Sequence, residues 1–179
     1  MEIERKWLLN RLPMESREVL NRTVSKIVFL STDPYVRVRT TTSTMTGKTS
    51  TKFCIKGKGS LSREEYEYPV DPEAFEGALR VSGKDPVTKD AAYYPPGDTG
   101  TELRIDIVDR GKPWEFIYAE VEFNTEEEAK AYEFPFLECS PIDVTHIGDF
   151  KMNRVWDRTR GTDDERERFI TILNTIRKT

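Results

Sequence analysis

Met1-Glu2-Ile3-Glu4-Arg5-Lys6-Trp7 opens the chain, and its alternation sets how the later segments are read. On a β-strand successive side chains point to opposite faces, so Glu2, Glu4 and Lys6 share one face and Ile3, Arg5 and Trp7 the other. One face is thus wholly ionisable. Two carboxylates and an ammonium in a row can collect a divalent cation and an anionic oxygen at one place. The same habit recurs downstream. Arg37 and Arg39 share a face; Lys52, Lys56 and Lys58 oppose Phe53 and Ile55; Arg63, Glu65 and Glu67 oppose Tyr66 and Tyr68. Arg104 and Asp106 oppose Leu103, Ile105 and Ile107, while Glu120 and Glu122 oppose Ala119, Val121 and Phe123.

Between these stretches the chain punctuates itself. Pro13 near a first turn, with Met14, Val19 and Leu20, predicts a short helix over 13–20. Strands are expected over 25–30 and 35–40 around Asp33-Pro34, then a Thr/Ser/Gly-rich hairpin loop over 41–51. Further strands are expected over 52–58, 63–70, 87–94, 102–109 and 116–123, with Pro95-Pro96-Gly97 as a breaker. Asp71-Pro72 starts a helix to about Arg80, and Asn124-Thr125 starts another whose first turn is acidic. Thr162 and Glu165 form a capping-box pattern before a last helix over 162–178, with Phe169, Ile170, Leu173 and Ile176 as its stripe.

At 179 residues, with 36% apolar and 11% aromatic side chains, the chain can bury one sizeable core, and a single domain over 1–179 is expected. With 28 basic against 32 acidic residues the net charge is −4, which argues against a global grip on duplex nucleic acid, so any anion site must be local. No apolar run reaches membrane-spanning length and the N-terminus is charged, so no membrane association, no signal peptide and a cytoplasmic location are expected. Cys54, Cys139 and His146 make no ligand pattern, which disfavours zinc chemistry and a Cys-His or Ser-His nucleophile. Trp114 and Trp156 read as packing residues.

Two architectures fit the alternation. In one, an open sheet turns its charged face to water, laced with ion pairs of little net value. In the other, the sheet closes with the charged faces inside, around a wet lumen in which Arg and Lys donate to phosphate oxygens and metal bridges phosphate to Glu. The second puts Glu4, Lys6, Arg37, Arg39, Lys56, Glu120 and Glu122 on one lumen, with Ile3, Val38, Ile55 and Val121 packed outward under helices.

Glu2-Ile3-Glu4-Arg5-Lys6 resembles the ExExK signature of the triphosphate tunnel metalloenzymes, the CYTH superfamily, in its short bacterial branch. Tyr35-Val36-Arg37-Val38-Arg39 resembles its Arg-x-Arg strand, Ile55-Lys56-Gly57-Lys58-Gly59 its Lys-Gly turn, and Arg63-Glu64-Glu65-Tyr66-Glu67 its Arg-x-Glu-x-Glu strand. Ala119-Glu120-Val121-Glu122-Phe123 resembles its late Glu-x-Glu strand, and Asp143-Val144-Thr145 with Phe150-Lys151 its C-terminal tunnel segment. The resemblance implies an α+β fold, an eight-stranded antiparallel β-barrel with helices packed outside. It also implies a small triphosphate-bearing substrate and Mg²⁺ or Mn²⁺. Glu2, Glu4, Glu120 and Glu122 would then serve the metal. Lys6, Arg37, Arg39, Lys52, Lys56, Arg63, Lys89, Arg104 and Lys151 would bind phosphate, with Lys52 and Arg104 resting on face pattern. Glu65, Glu67 and Asp106 would complete the acidic side, and Glu4, Lys6 and Lys89 would serve the chemistry.

Two departures qualify the resemblance. Ile27-Val28-Phe29 stands where short bacterial members often carry Gln-Gly-Tyr, so a phenolic hydroxyl is missing there, and Phe29→Tyr is expected to raise turnover. Lys89-Asp90-Ala91 replaces Lys-Thr-Arg, which leaves Arg104 to supply that charge. Inorganic triphosphatase is the leading expectation. An adenylyl cyclase of the class IV type, a nucleoside or thiamine triphosphatase, and a non-catalytic nucleotide or polyphosphate binder are the alternatives. A homo-oligomer is compatible with the sequence.

Overall fold

Alternating strands with one ionisable face close on themselves in the computed structural model, which describes residues 1–95 and 101–178. The described strands are β1 (Glu2–Leu9), β2 (Asn21–Thr32), β3 (Tyr35–Ser43), β4 (Thr49–Lys56), β5 (Ser62–Arg63), β6 (Glu65–Pro69), β7 (Val87–Tyr94), β8 (Leu103–Val108), β9 (Phe116–Phe123) and β10 (Ile142–Asp143). Eight of them have five residues or more, and β5 and β10 have two each, so the expected eight-stranded barrel carries two short additions. The order is β10-β1-β9-β8-β7-β2-β3-β4-β6, and every pairing is antiparallel. Closure comes from one ribbon: β5 pairs with β1, β6 pairs with β4, and only Glu64 lies between them. Residues 62–69 therefore bridge the two ends of the sheet.

Among the described residues four α-helices lie outside the barrel: α1 (Pro72–Ser82), α2 (Glu126–Ala131), α3 (Met152–Thr159) and α4 (Asp163–Ile176). Side-chain capping starts α2 and α4, where Thr125 with Glu128 and Thr162 with Glu165 satisfy each other's backbone amides. Gly83 ends α1 at φ 60°, a left-handed conformation without penalty only for glycine. On one side, α2 and residues 132–139 cover Ile3, Trp7, Ile105, Ala119 and Val121. Arg5 fastens this cover by donating to the carbonyls of Ala129 and Tyr132, both at 2.8 Å.

The opposite cluster joins α1, α3 and α4 to Val38 and to Leu8, Ile27, Phe29, Val87, Val108, Phe116 and Tyr118. Cross-strand register places most of this second set on the same face as the tunnel charges, since Ile27 opposes Arg39 and Phe29 opposes Arg37. The inner face thus turns apolar at one end of the barrel, and Phe150 and Phe169 pack on Phe116 there at ring distances of 5.9 Å. The last helix plugs that end as well as covering it.

Several sequence expectations need correction. Residues 13–20 form no helix, because a segment this short needs packing and Met14 and Leu20 stay exposed. β3 and β4 run into the expected loop and leave a hairpin over 44–48, since the Thr-rich flanks satisfy strand propensity. Helix α3 was not expected. Ile55 lines neither chamber of the lumen described below, and at 38% exposed it is not packed under a helix as expected. Pro96-Gly97 lies outside the described residues.

Candidate functional site

Inward positions of β1 to β9 line two connected chambers of about 350 and 230 Å³. Arg37, Arg39, Lys89, Arg104 and Glu122 belong to both. All seven residues expected to converge on one lumen line the larger chamber. Together the chambers hold nine basic and seven acidic side chains, a positive excess inside a protein whose net charge is −4. The open-sheet alternative is thereby excluded.

The lumen charges are mutually engaged. Glu2 accepts from Lys56 Nζ at 2.6 Å and Arg63 Nε at 2.9 Å, and Glu4 accepts from Arg63 at 2.5 Å and from Lys6. Lys56 also reaches Glu65 at 3.2 Å, and Glu67 takes Arg39 at 2.9 Å and Lys52 at 2.7 Å. Across the tunnel, Lys89 donates to Asp106 at 2.8 Å and Glu120 at 3.2 Å, and Arg104 pairs with the same two carboxylates. Lys151 donates to the Gly59 carbonyl at 2.5 Å. Gly59 permits this loop, because at φ 147° a Cβ would stand 2.1 Å from the Ser62 carbonyl oxygen.

Burial taxes every charge here, and the partners decide the outcome. Burial would raise the Glu2 and Glu4 carboxyls, yet Lys56 and Arg63 beside the first and Lys6 beside the second hold both below their usual range. For the lysines burial prevails over Glu4 and Asp106, pushing Lys6 down to about 8 and Lys89 to about 7.

Two groups stand apart from the pairing. Arg37 is 6% exposed, yet its Nε has no hydrogen-bond partner and its nearest carboxylates, Glu67 and Glu65, are 3.9 and 4.0 Å away. Glu122 pairs with no cation among the described residues, and it lies opposite Glu4 in the β1–β9 register. Glu122 is exposed by area, yet the wall around its carboxyl and Glu2 beside it raise that carboxyl.

Carboxylate oxygens such as those of Glu2, Glu4 and Glu122 suit a hard divalent cation, which would relieve the like charge that Glu122 meets in Glu2 and Glu4. Glu120 is committed to Lys89 and Arg104. In the free tunnel Glu2, Glu4 and Glu122 do not converge to within 4.8 Å of one another; among the described residues Cys54, Glu65 and Glu67 do. That trio fits a cation less well. Burial pushes the Cys54 thiol up to about 11, it donates to Glu65 at 3.1 Å, and Glu67 is already held by Arg39 and Lys52.

Some expected residues fall elsewhere. Asp143 is outside the lumen, bound to Arg5 at 2.5 Å, and of that C-terminal segment Lys151 reaches the tunnel. Phe29 points inward but lines neither chamber, being packed against Tyr35 at 5.1 Å and Trp156 at 5.5 Å. Sequence reading missed Tyr35, Ser25, Thr41 and Tyr93, all on the lumen. The position of Tyr35 two residues before Arg37 was the available signal.

No family model and no curated protein matches the sequence. Solved structures do resemble the fold. The inorganic triphosphatase NE1496 has a TM-score of 0.55 at 23% identity, over 87% of this chain and 93% of that one. HpAC1 from Hippeastrum, a candidate adenylyl cyclase with a dominant triphosphatase activity, has a TM-score of 0.52 at 17% identity, over 73% of this chain and 83% of that one. Over most of its length this antiparallel barrel with outer helices superposes on those structures, so the chain has the CYTH-type fold.

Proposed function

We propose that the protein hydrolyses a phosphoanhydride bond of a small triphosphate, inorganic triphosphate first, with Mg²⁺ or Mn²⁺. The observation that carries this reading is the Arg37 guanidinium, buried in a cation-rich lumen with its Nε unpartnered among the described residues and its nearest carboxylates 3.9 and 4.0 Å away. A buried donor left unmade is costly, and a phosphate oxygen would satisfy it. The same anion would draw Lys6, Arg39, Lys56 and Arg63 from their carboxylates. Glu2 and Glu4 would thereby become available beside Glu122 to hold the metal. A bound divalent ion would neutralise the polyphosphate and polarise its oxygens.

The chain's own contribution is largely charge placement. Arg37, Arg39, Lys56, Arg63 and Lys151 would hold the non-reacting phosphates from the larger chamber. Lys89, near neutrality in its free state, would hold or release a proton beside the terminal phosphate. Asp106 Oδ1 is buried without a partner, so it can accept a hydrogen bond from a water held for in-line attack. No helix among the described residues is long and apolar enough to cross a membrane.

The test is a metal-dependent panel of triphosphate, thiamine triphosphate, ATP and GTP, with phosphate, pyrophosphate and cyclic nucleotide quantified. Phosphate and pyrophosphate in equal amounts from triphosphate are expected. Cyclic product from ATP would assign a cyclase, and saturable binding without product across the panel would assign a binder.

A further inference from the structure

Tyr35 begins β3 and faces the lumen opposite Lys56 in the β3–β4 register. Its ring meets three of the tunnel's cations: Arg37 at 5.6 Å, Arg63 at 5.7 Å and Lys56 at 5.9 Å from the centroid. These side chains come from three strands, β3, β4 and β5, and their like charges repel one another. Carboxylates offset this for Lys56 and Arg63, but Arg37 has no hydrogen bond to any of them. The negative face of an aromatic ring attracts cations, more strongly where water is thin. The ring itself is fixed from behind, because Phe29 meets Tyr35 edge-on at 5.1 Å and Trp156 of α3 packs on Phe29 at 5.5 Å.

We propose that Tyr35 is a positioning residue whose ring gathers Arg37, Lys56 and Arg63 into one phosphate-binding cluster, buttressed by Phe29 and Trp156. It touches the cations, and through them it sets the geometry offered to the anion. The π-face does this and the phenolic hydroxyl does not. The placement accounts for an aromatic without a hydroxyl at Phe29, since that position is spent on holding Tyr35. The consequence for affinity rests on the triphosphate reading above; the placement of the cations does not.

Calorimetric titration with tripolyphosphate, without metal and so without turnover, tests the first part. Tyr35→Phe should keep affinity within about threefold, and Tyr35→Leu should lose roughly tenfold, both with native circular dichroism. Tyr35→Met, closer in volume, replaces the Leu variant if that one unfolds. Equal losses in the Phe and Leu variants would assign the effect to the hydroxyl and overturn the proposal, as would wild-type affinity in both. The second part needs no ligand: ring-current displacement of the Arg63 δ-methylene and Lys56 ε-methylene NMR signals should persist in Tyr35→Phe and vanish in Tyr35→Leu. If wild type fails to bind tripolyphosphate, the functional reading falls and this spectrum alone decides: displaced signals uphold the placement, and undisplaced ones overturn it.

Discussion

Arg37 and Lys56 face the same lumen, yet their removal should have different costs. Arg37 meets its carboxylates only at 3.9 and 4.0 Å, so Arg37→Ala should weaken tripolyphosphate binding roughly ten- to hundredfold and lower the unfolding midpoint less than Lys56→Ala does. Lys56 is held by Glu2 and Glu65, so Lys56→Ala should lower both affinity and stability, because it leaves the buried Glu2 with Arg63 as its one remaining cation among the described residues. Calorimetry and urea unfolding on the two variants separate these outcomes; equal loss of stability in both would place Arg37 in the pairing network. Glu122 presents the converse case, a carboxylate without a cation. Glu122→Gln removes a like charge facing Glu2 and Glu4, so stability should hold or rise while metal-dependent phosphate release falls at least tenfold, about 1.4 kcal/mol in barrier. Unchanged turnover with unchanged metal dependence would remove Glu122 from the metal site.

The elements differ in how openly the sequence announced them. β1 and every long strand from β3 onward were legible, because a period of two with ionisable and apolar faces leaves no other regular structure. The lumen followed from it, and register confirms which side chains share a face. Two features stayed hidden. Helix α3 begins at Met152 with no side-chain cap, so no local signal precedes it, and its burial of Val155 and Trp156 depends on the barrel end already being present. The switch of the inner face from charged to apolar at Leu8, Val87 and Phe116 was equally hidden, since alternation assigns a residue to a face and not to a depth along the axis. That plug gives α4 its role. Phe169→Ala should cost about 3–5 kcal/mol in urea unfolding, as Phe169 is fully buried against Phe116 and Phe150; a cost below about 1 kcal/mol would make α4 an accessory cover. Depth along the axis also revises the expectation for Phe29. It lies in the plug behind Tyr35, so Phe29→Tyr should bury a hydroxyl among rings and lower stability without raising turnover; a faster enzyme would put that side chain in the lumen after all.

At the scale of the molecule, the free tunnel is a store of unfavourable charge, and pH reads it. Lys6 and Lys89 are held near 8 and 7, below their ordinary value of 10.5, mainly by burial. From pH 7 upward the unfolded chain therefore keeps protons that the folded chain has shed, and stability rises with pH wherever the unfolded state binds more protons. The opposing groups act later. Burial pushes the Cys54 and Cys139 thiols from 9.0 up to about 11, so the folded state holds the extra protons only above about pH 9. Glu2, Glu4 and Asp106, all lowered, contribute stability fully present above their ordinary carboxylate range and constant across this window. Between pH 7 and 8.5 the free protein should thus become more stable, by up to about 1.4 kcal/mol per pH unit for each lysine that is deprotonated when folded. A bound polyanion supplies the missing countercharge, holds both ammonium groups in their charged form and should flatten the slope. Urea unfolding at pH 7.0 and 8.5, with and without tripolyphosphate, checks both statements, and Lys89→Met should reduce the slope in the free protein alone. A free protein whose stability is flat or falls across this range would mean that the lumen lysines keep their protons unaided, and the tunnel would not be the electrostatically unsatisfied anion receptor described above.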